Sequence, residues 1–271
     1  MNPRINIIFR SCDLVNAVHN APRPFNLDKK TLIKVCFKSL YDATRNFNCK
    51  IIILGDRLSE EMTLFFEKHD VEIIHGTFGN DNSIRESIKI AKQFNNDDWV
   101  YFCEDDYLHQ KDAFEKITTL IKEKENIIPG KIQLKQLLRK REIVLFSLSR
   151  FFNQPNLVIH PCDYPDRYNF KYQEKNFIFC TSNSHWRQIT DTTFTFLMQA
   201  KDIKKKQAIL NHSAHRANDR YLSKTLFGKR FFLKKLLCVS PIPSLTSHMH
   251  VETMSPLVNW EKLVTELLKE I

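Results

Sequence analysis

A chain of 271 residues with 42% hydrophobic and 27% charged residues carries enough apolar material for a full core, which sets aside a disordered or fibrous protein. Its 41 Lys and Arg against 31 Asp and Glu leave a formal charge of +10, a balance that favours anionic partners. Glycine is scarce, at 5 residues, and neither a GxGxxG nor a GxxxxGK[ST] run occurs, which argues against phosphate binding by a glycine-rich loop.

The first hundred residues alternate strand and helix. Residues 5–9 form a short β-rich run that the chain enters without a signal-peptide pattern. Residues 27–45 place Leu32, Val35, Cys36 and Leu40 near a 3.6 period and predict a helix. A second strand over 50–54 closes on Gly55-Asp56, and Ser59 is the N-cap expected for a helix over 59–69. A third strand covers 71–74, a helix covers 83–94, and a fourth strand covers 98–103. Asp112 and Glu115 have capping-box spacing for a helix through about Lys124. Strands separated by helices predict a mainly parallel sheet.

The texture changes after Pro129-Gly130. Residues 131–140 are basic and amphipathic, and 143–152 are apolar and aromatic. Strands are expected over 156–160 and 176–181, a helix over 194–206 and a terminal helix over 263–271. The expectation is one domain over 1–271. A nucleotide-binding half runs to about residue 110, an acceptor-side half follows, and one sheet serves both.

Seven cysteines at 12, 36, 49, 103, 162, 180 and 238 form no CxxC pair. Several, Cys103 and Cys180 among them, lie in apolar runs and read as reduced core thiols of a cytoplasmic protein. No apolar stretch approaches the ~20 residues of a membrane span. The expected location is cytoplasmic, with peripheral contact at the inner face of a membrane.

Four clusters carry chemistry. In Trp99-Val-Tyr-Phe-Cys-Glu-Asp-Asp-Tyr107 a buried strand runs straight into three carboxylates at the rim of a sheet, where ligands bind in open α/β folds. Adjacent carboxylates repel, and a divalent cation held through oxygen relieves them while bridging a diphosphate. Alternation sends Glu104 and Asp106 to one side and Asp105 to the other. In Ser247-His248-Met249-His250-Val251-Glu252, an extended chain puts His248, His250 and Glu252 on one face. One of the two histidines, His248 ahead of His250, is the expected metal ligand. In His215-Arg-Ala-Asn-Asp-Arg-Tyr-Leu222 a carboxylate at a helix start suits a general base, and an N-cap with surface arginines explains the same residues locally. In His160-Pro-Cys-Asp-Tyr-Pro-Asp-Arg-Tyr168, aromatic rings beside acids suit carbohydrate, with an ordinary Asx-turn loop as the equal alternative. Two smaller signals are Asp56, which follows a buried strand and suits a base N–H, and Gly79-Asn-Asp-Asn-Ser83, which precedes a helix start that suits a nucleotide. Turns explain both equally well.

Taken as an ordered series over nearly the whole chain, these parts resemble glycosyltransferases of the GT-A fold, in the broad family-2-like group of bacterial and viral polysaccharide enzymes. The resemblance implies an α/β fold with a Rossmann-like nucleotide-binding half, a mainly parallel central sheet and an acceptor-side α/β half. Glu104-Asp105-Asp106 stands where that fold carries its DxD motif, which implies Asp106 as the main ligand of Mn²⁺ or Mg²⁺. His248 resembles the C-terminal histidine that joins the metal. Asn218-Asp219 resembles the xED motif, with Asp219 the implied catalytic base of an inverting reaction and Asn218 in the usual place of Glu. Asp56 matches the acid that recognises the base, and Arg10, Ser83, Glu104 and Asp105 complete the implied donor-binding set. Asp163, Tyr164 and Arg167 are expected to border a sugar. The glycine-rich acceptor loop of the family is absent, and residues 191–196 fill its region. The implied activity is metal-dependent transfer of a sugar from a UDP- or GDP-sugar to a saccharide or lipid-linked saccharide, in polysaccharide or glycolipid synthesis.

Two other readings compete. A sugar-phosphate nucleotidyltransferase shares the core and the metal carboxylates but usually has a glycine-rich basic loop after its first strand, where this chain has Arg10-Ser-Cys-Asp-Leu-Val-Asn16. A non-enzymatic basic module would use residues 131–140 and 224–235, which combine Lys and Arg with apolar or aromatic residues. Neither run carries a nucleic-acid signature, so membrane contact is expected and nucleic acid is not.

Overall fold

The computed structural model describes residues 2–14, 22–127, 156–169, 171, 176–227 and 236–271. The basic and apolar runs over 131–140 and 143–152, and residues 228–235 of the second basic run, lie outside the described residues.

In chain order the elements are β1 (Ile5–Ser11), α1 (Lys29–Thr44), β2 (Cys49–Asp56), α2 (Glu60–Glu67), β3 (Glu72–Gly76), α3 (Gly79–Ala91), β4 (Trp99–Glu104), β5 (Tyr107–His109) and α4 (Ala113–Ile127). They continue with β6 (Leu157–Ile159), β7 (Ile178–Cys180), β8 (His185–Ile189), β9 (Phe196–Gln199), α5 (Ala200–Ser213), α6 (Asp219–Leu226), β10 (Leu237–Ile242), β11 (Thr246–His248) and α7 (Trp260–Leu267). The architecture is α/β. Nine strands make one sheet in the order β3-β2-β1-β4-β9-β6-β10-β8-β7, and β11 pairs with β5 in a separate ribbon. From β3 through β4 every pairing is parallel, as the strand–helix alternation predicts; β9 then runs antiparallel to both β4 and β6.

The strands fit this sheet because it is covered on both faces. All of β1 is buried, and alternate residues feed two cores. Ile5, Ile7 and Phe9 enter one core with Ile33 and Phe37 of α1 and Phe114 of α4; Ile8 enters the other with Ile84 and Ile88 of α3 and Ile203 of α5. A third cluster packs α7, through Trp260, Val264 and Leu267, against Leu32, Val35 and Cys36 of α1. Caps set the helix starts: Asp28 accepts from the Lys30 and Thr31 amides, and Ser59 accepts from Met62 as expected.

Several sequence expectations are corrected. Residues 194–206 are not one helix. The alternating Thr-Phe-Thr-Phe opening puts Phe196 into β9, with Phe102 beside it, and the helix starts only at Ala200. α3 begins at Gly79, four residues earlier than expected, so Asn80 and Ser83 belong to its first turns. Asp112 pairs with Lys116 at 2.7 Å in place of a capping box. Cys180 is exposed on the outermost strand β7, so it is no core thiol, whereas Cys103 is fully buried. The chain turns after His248, so Glu252 does not continue an extended face with the two histidines. Among the described residues, no helix is long and apolar enough to cross a membrane.

Candidate active site

The ends of β1, β2 and β4, the start of α3 and the residues after β11 enclose a cavity of about 380 Å³. Arg10, at the end of β1, organises its floor. Its guanidinium donates to Ser83 Oγ at 2.9 Å, to Asn80 Oδ1 at 3.4 Å and to Glu104 Oε1 at 2.8 Å. Glu104 also accepts from Thr195 Oγ1 at 3.0 Å. Burial raises the Glu104 carboxyl above its ordinary range against the opposing pull of Arg10, and the nearby Asp106 charge adds to the rise.

The three acids divide their partners. Asp105 accepts from the Cys12 amide at 2.9 Å and from Lys29 Nζ at 2.7 Å, which binds the end of β4 to the chain after β1 and to the start of α1. Asp106 instead meets His248, with Oδ2 and Nε2 at 3.2 Å. The β5–β11 ribbon makes this encounter, because its register sets His248 opposite Tyr107, the residue after Asp106. Burial opposes ionisation of Asp106, but the His248 charge and hydrogen bond outweigh it and hold the carboxyl at about 2. His248 is raised in turn: burial disfavours its charge, and Asp106, Glu104 and Asp219 favour it more strongly.

The imidazole of His248 is held on several sides. Nδ1 lies 2.9 Å from Thr253 Oγ1, whose own proton points to the His250 carbonyl at 3.4 Å, so Nδ1–H is the donor. The Tyr107 ring stacks on it at 5.0 Å and 13°, and the His250 ring stacks at 5.9 Å and 20°. This fixes Nε2 as the nitrogen presented to Asp106.

A divalent cation suits this pair. Asp106 Oδ1 is buried and has no hydrogen-bond partner, and a hard oxygen lies beside an oriented imidazole. Among the described residues, no group of three or more His, Cys, Asp or Glu side chains is arranged to hold a metal. Asp106 and His248 are the two side chains that come together here with metal-ligand chemistry.

Asp56 lines the cavity, but its oxygens are engaged. Oδ1 accepts from the Phe78 amide at 2.7 Å and from Arg57 Nε at 3.3 Å; Oδ2 accepts from the Gly79 amide and from Arg57 Nη2, both at 3.1 Å. Burial opposes ionisation, and these donors more than offset it, so the carboxyl lies below its usual range. Gly79 has φ +69°, which glycine adopts without strain, and that turn delivers both amides to Asp56. Asp56 therefore shapes the cavity wall around Arg57 and α3.

Asp219 opens α6, with Asn218 as its cap accepting from the Tyr221 amide at 2.9 Å. Burial, and then the charge of Glu104, raise its carboxyl to about 7, against Arg10 and His248. The fourth cluster falls elsewhere. Asp163 is buried, paired with Arg187 and hydrogen-bonded by Tyr168, with Arg167 at 3.6 Å. Arg167 donates to the Cys162 carbonyl and to Ser240 Oγ at 3.0 and 3.1 Å. These two tie the loop after β6 to β8 and β10 and are not part of the cavity lining. Tyr164 is nearer the chemistry: its hydroxyl meets that of Tyr107 at 2.6 Å, and its ring lies edge-on to His248 at 6.4 Å.

Sequence reasoning passed over Lys29, Thr195 and Thr253, each of which holds one of the site's ionisable groups. Lys29 begins an amphipathic helix and Thr195 sits in the misread 194–206 segment, so neither carried a local signal.

No protein-family model matches the chain, and no curated protein matches it. Among solved structures, the galactosyltransferase LgtC in complex with donor and acceptor sugar analogues is 11% identical, over 98% of this chain and 96% of its own, with a TM-score of 0.44. TarS 1–349 of S. aureus is 10% identical over 88% of this chain and 57% of its own, at 0.43. A nucleotidyl transferase from Methanothermobacter is 7% identical over 99% of both chains, at 0.40. These distant likenesses fall on both sugar and nucleotidyl transferases and do not choose between them.

Proposed function

We propose that the protein is a metal-dependent, inverting glycosyltransferase that moves a sugar from a nucleoside diphosphate to a hydroxyl acceptor. The observation that carries this reading is the meeting of Asp106 and His248 at 3.2 Å in the cavity that Arg10 and Glu104 line; Asp219 opens α6, with its carboxyl raised by burial and by the charge of Glu104. A general base works best when its pKa lies near the working pH. In the nucleotidyltransferase reading the attacking group is already an ionised phosphate, which needs no such base.

Arg10, Ser83, Glu104 and Asp105 border the donor, and Asp56 keeps Arg57 and the α3 turn against it. Asp106 and His248 would hold Mn²⁺ or Mg²⁺, which supplies positive charge to the departing diphosphate. Asp219 takes the proton of the acceptor hydroxyl. The freed oxygen bonds to the anomeric carbon, and the bond to diphosphate oxygen breaks with its electron pair staying on the leaving group. Attack opposite that bond inverts the centre. The donor is a UDP- or GDP-sugar and the acceptor a saccharide, free or lipid-linked. The charge of +10 supports contact of such an enzyme with an anionic membrane face on the cytoplasmic side.

The test is a panel of sugar nucleotides with and without Mn²⁺, read by the product released. Free nucleoside diphosphate supports sugar transfer; pyrophosphate from a nucleoside triphosphate and sugar phosphate would replace it with nucleotidyl transfer. Asp219→Asn should lower kcat by about 10²–10⁴-fold while nucleotide binding persists. Full activity in that variant would remove Asp219 as the base.

A further inference from the structure

Asp81 lies in the first turn of α3, and its Oδ2 accepts the backbone N–H of Arg216 at 2.9 Å, with His215 Nδ1 at 3.7 Å. Arg216 and Ala217 both occupy the left-handed region, at φ 56° and 43°, two residues in a row without glycine. Residues with a Cβ rarely adopt that conformation, so the turn persists only where its surroundings hold it. Within the turn, the Asn218 amide reaches the Ser213 carbonyl at 2.7 Å and the Asp219 amide reaches that of Ala217 at 2.9 Å. The Asp81 contact is a hydrogen bond from this turn to α3. The same helix start carries Asn80 and Ser83, which hold Arg10, and Arg10 holds Glu104.

We infer that Asp81 is a positioning residue that locks the left-handed turn before α6 to the donor side of the cavity and so fixes where Asp219 stands relative to the bound sugar nucleotide. The inference rests on the reading of Asp219 as the catalytic base. Asp81 does not line the cavity; it acts through the backbone of Arg216. What it contributes is an acceptor oxygen at one point, so a neutral amide of the same shape serves as well as a carboxylate. The donor contacts of Arg10, Ser83 and Glu104 do not pass through the Asp81 side chain. Its loss therefore bears on turnover and leaves donor binding in place.

The experiment compares Asp81→Ala with Asp81→Asn. In Asp81→Ala, kcat should fall tenfold or more with donor KM within about twofold, and in Asp81→Asn kcat should return to within about threefold of the parent. Hydrogen exchange at the Arg216 amide is read in parallel and needs no turnover: protection should drop in Asp81→Ala and survive in Asp81→Asn. Unchanged kcat in Asp81→Ala, equal loss in both variants, or a loss confined to donor KM would each overturn the inference. If the parent protein transfers no sugar, the proposed function fails. The amide exchange then still reports whether Asp81 holds the turn: retained protection in Asp81→Ala overturns that hold, and lost protection upholds it.

Discussion

Asp106 and His248 stand 142 positions apart in the chain, and their side chains meet at 3.2 Å. The third partner, Thr253, orients the imidazole through its hydroxyl, 2.9 Å from Nδ1. Thr253→Val keeps the shape and removes the acceptor, so the affinity for Mn²⁺ should fall about 10–100-fold. Thr253→Ser should keep it. Electron paramagnetic resonance titration of Mn²⁺ in the presence of nucleoside diphosphate measures both. Equal affinity in the valine variant would leave Thr253 as packing alone.

The pH dependence has a definite sign. As the proposed base, Asp219 would act only when ionised, and its carboxyl is raised to about 7. Turnover should therefore rise with pH through about 7 and flatten above it. Stability runs the other way. The unfolded carboxyl ionises near its ordinary value while the folded one keeps its proton, so this residue's contribution declines as pH rises from about 4 to 7. Asp219→Asn should be more stable than the parent above pH 7, by about 1–3 kcal/mol. Urea melts at pH 5 and pH 8 check it, and an equal gain at both would contradict the raised value.

Asp163 gives a contrasting forecast. It is buried with Arg187 and Arg167 around it, so Asp163→Ala strands buried guanidinium charge. The expected loss is about 3–5 kcal/mol of folding stability. A variant of unchanged stability but weakened acceptor KM would restore the sugar-contact role that the sequence suggested.

Asp56→Ala leaves the Phe78 and Gly79 amides without their acceptor and frees Arg57. A cost of about 1–3 kcal/mol follows from the unpaired groups. Donor KM should rise more than kcat falls, because the damage is to the wall of the nucleotide cavity. Isothermal titration with nucleoside diphosphate reads this directly; unchanged affinity would detach Asp56 from the donor.

The parallel half was legible because each of its elements announces itself locally. Residues 50–54 alternate between two cores, Ser59 caps a helix, and the apolar run before Glu104 has to be a central strand. The short strands β5, β8 and β11 were not. Tyr107–His109 and Thr246–His248 are three residues each, too short for periodicity, and they exist because they pair with one another. The site was legible as residue types in order. The partition among Glu104, Asp105 and Asp106 depends on Arg10, Lys29 and His248, which come from three distant parts of the chain. The Asp163 cluster was ambiguous because a loop of acids, arginines and tyrosines looks the same whether it faces sugar or is buried among its own ion pairs, as Asp163 is with Arg187. Only burial separates the two.

The β5–β11 ribbon bears on how the protein is made. His248 reaches Asp106 only by closing a loop of 142 positions, an entropic cost met late in folding. What holds it closed is partly remote: Met249 packs with Trp260 and Val264 of α7 on Leu32 and Val35 of α1. α7 thus braces, through Met249, the strand end that brings His248 to Asp106. During translation the parallel strands β1 to β4 can pair early, yet Asp106 lacks its imidazole partner until that packing is complete.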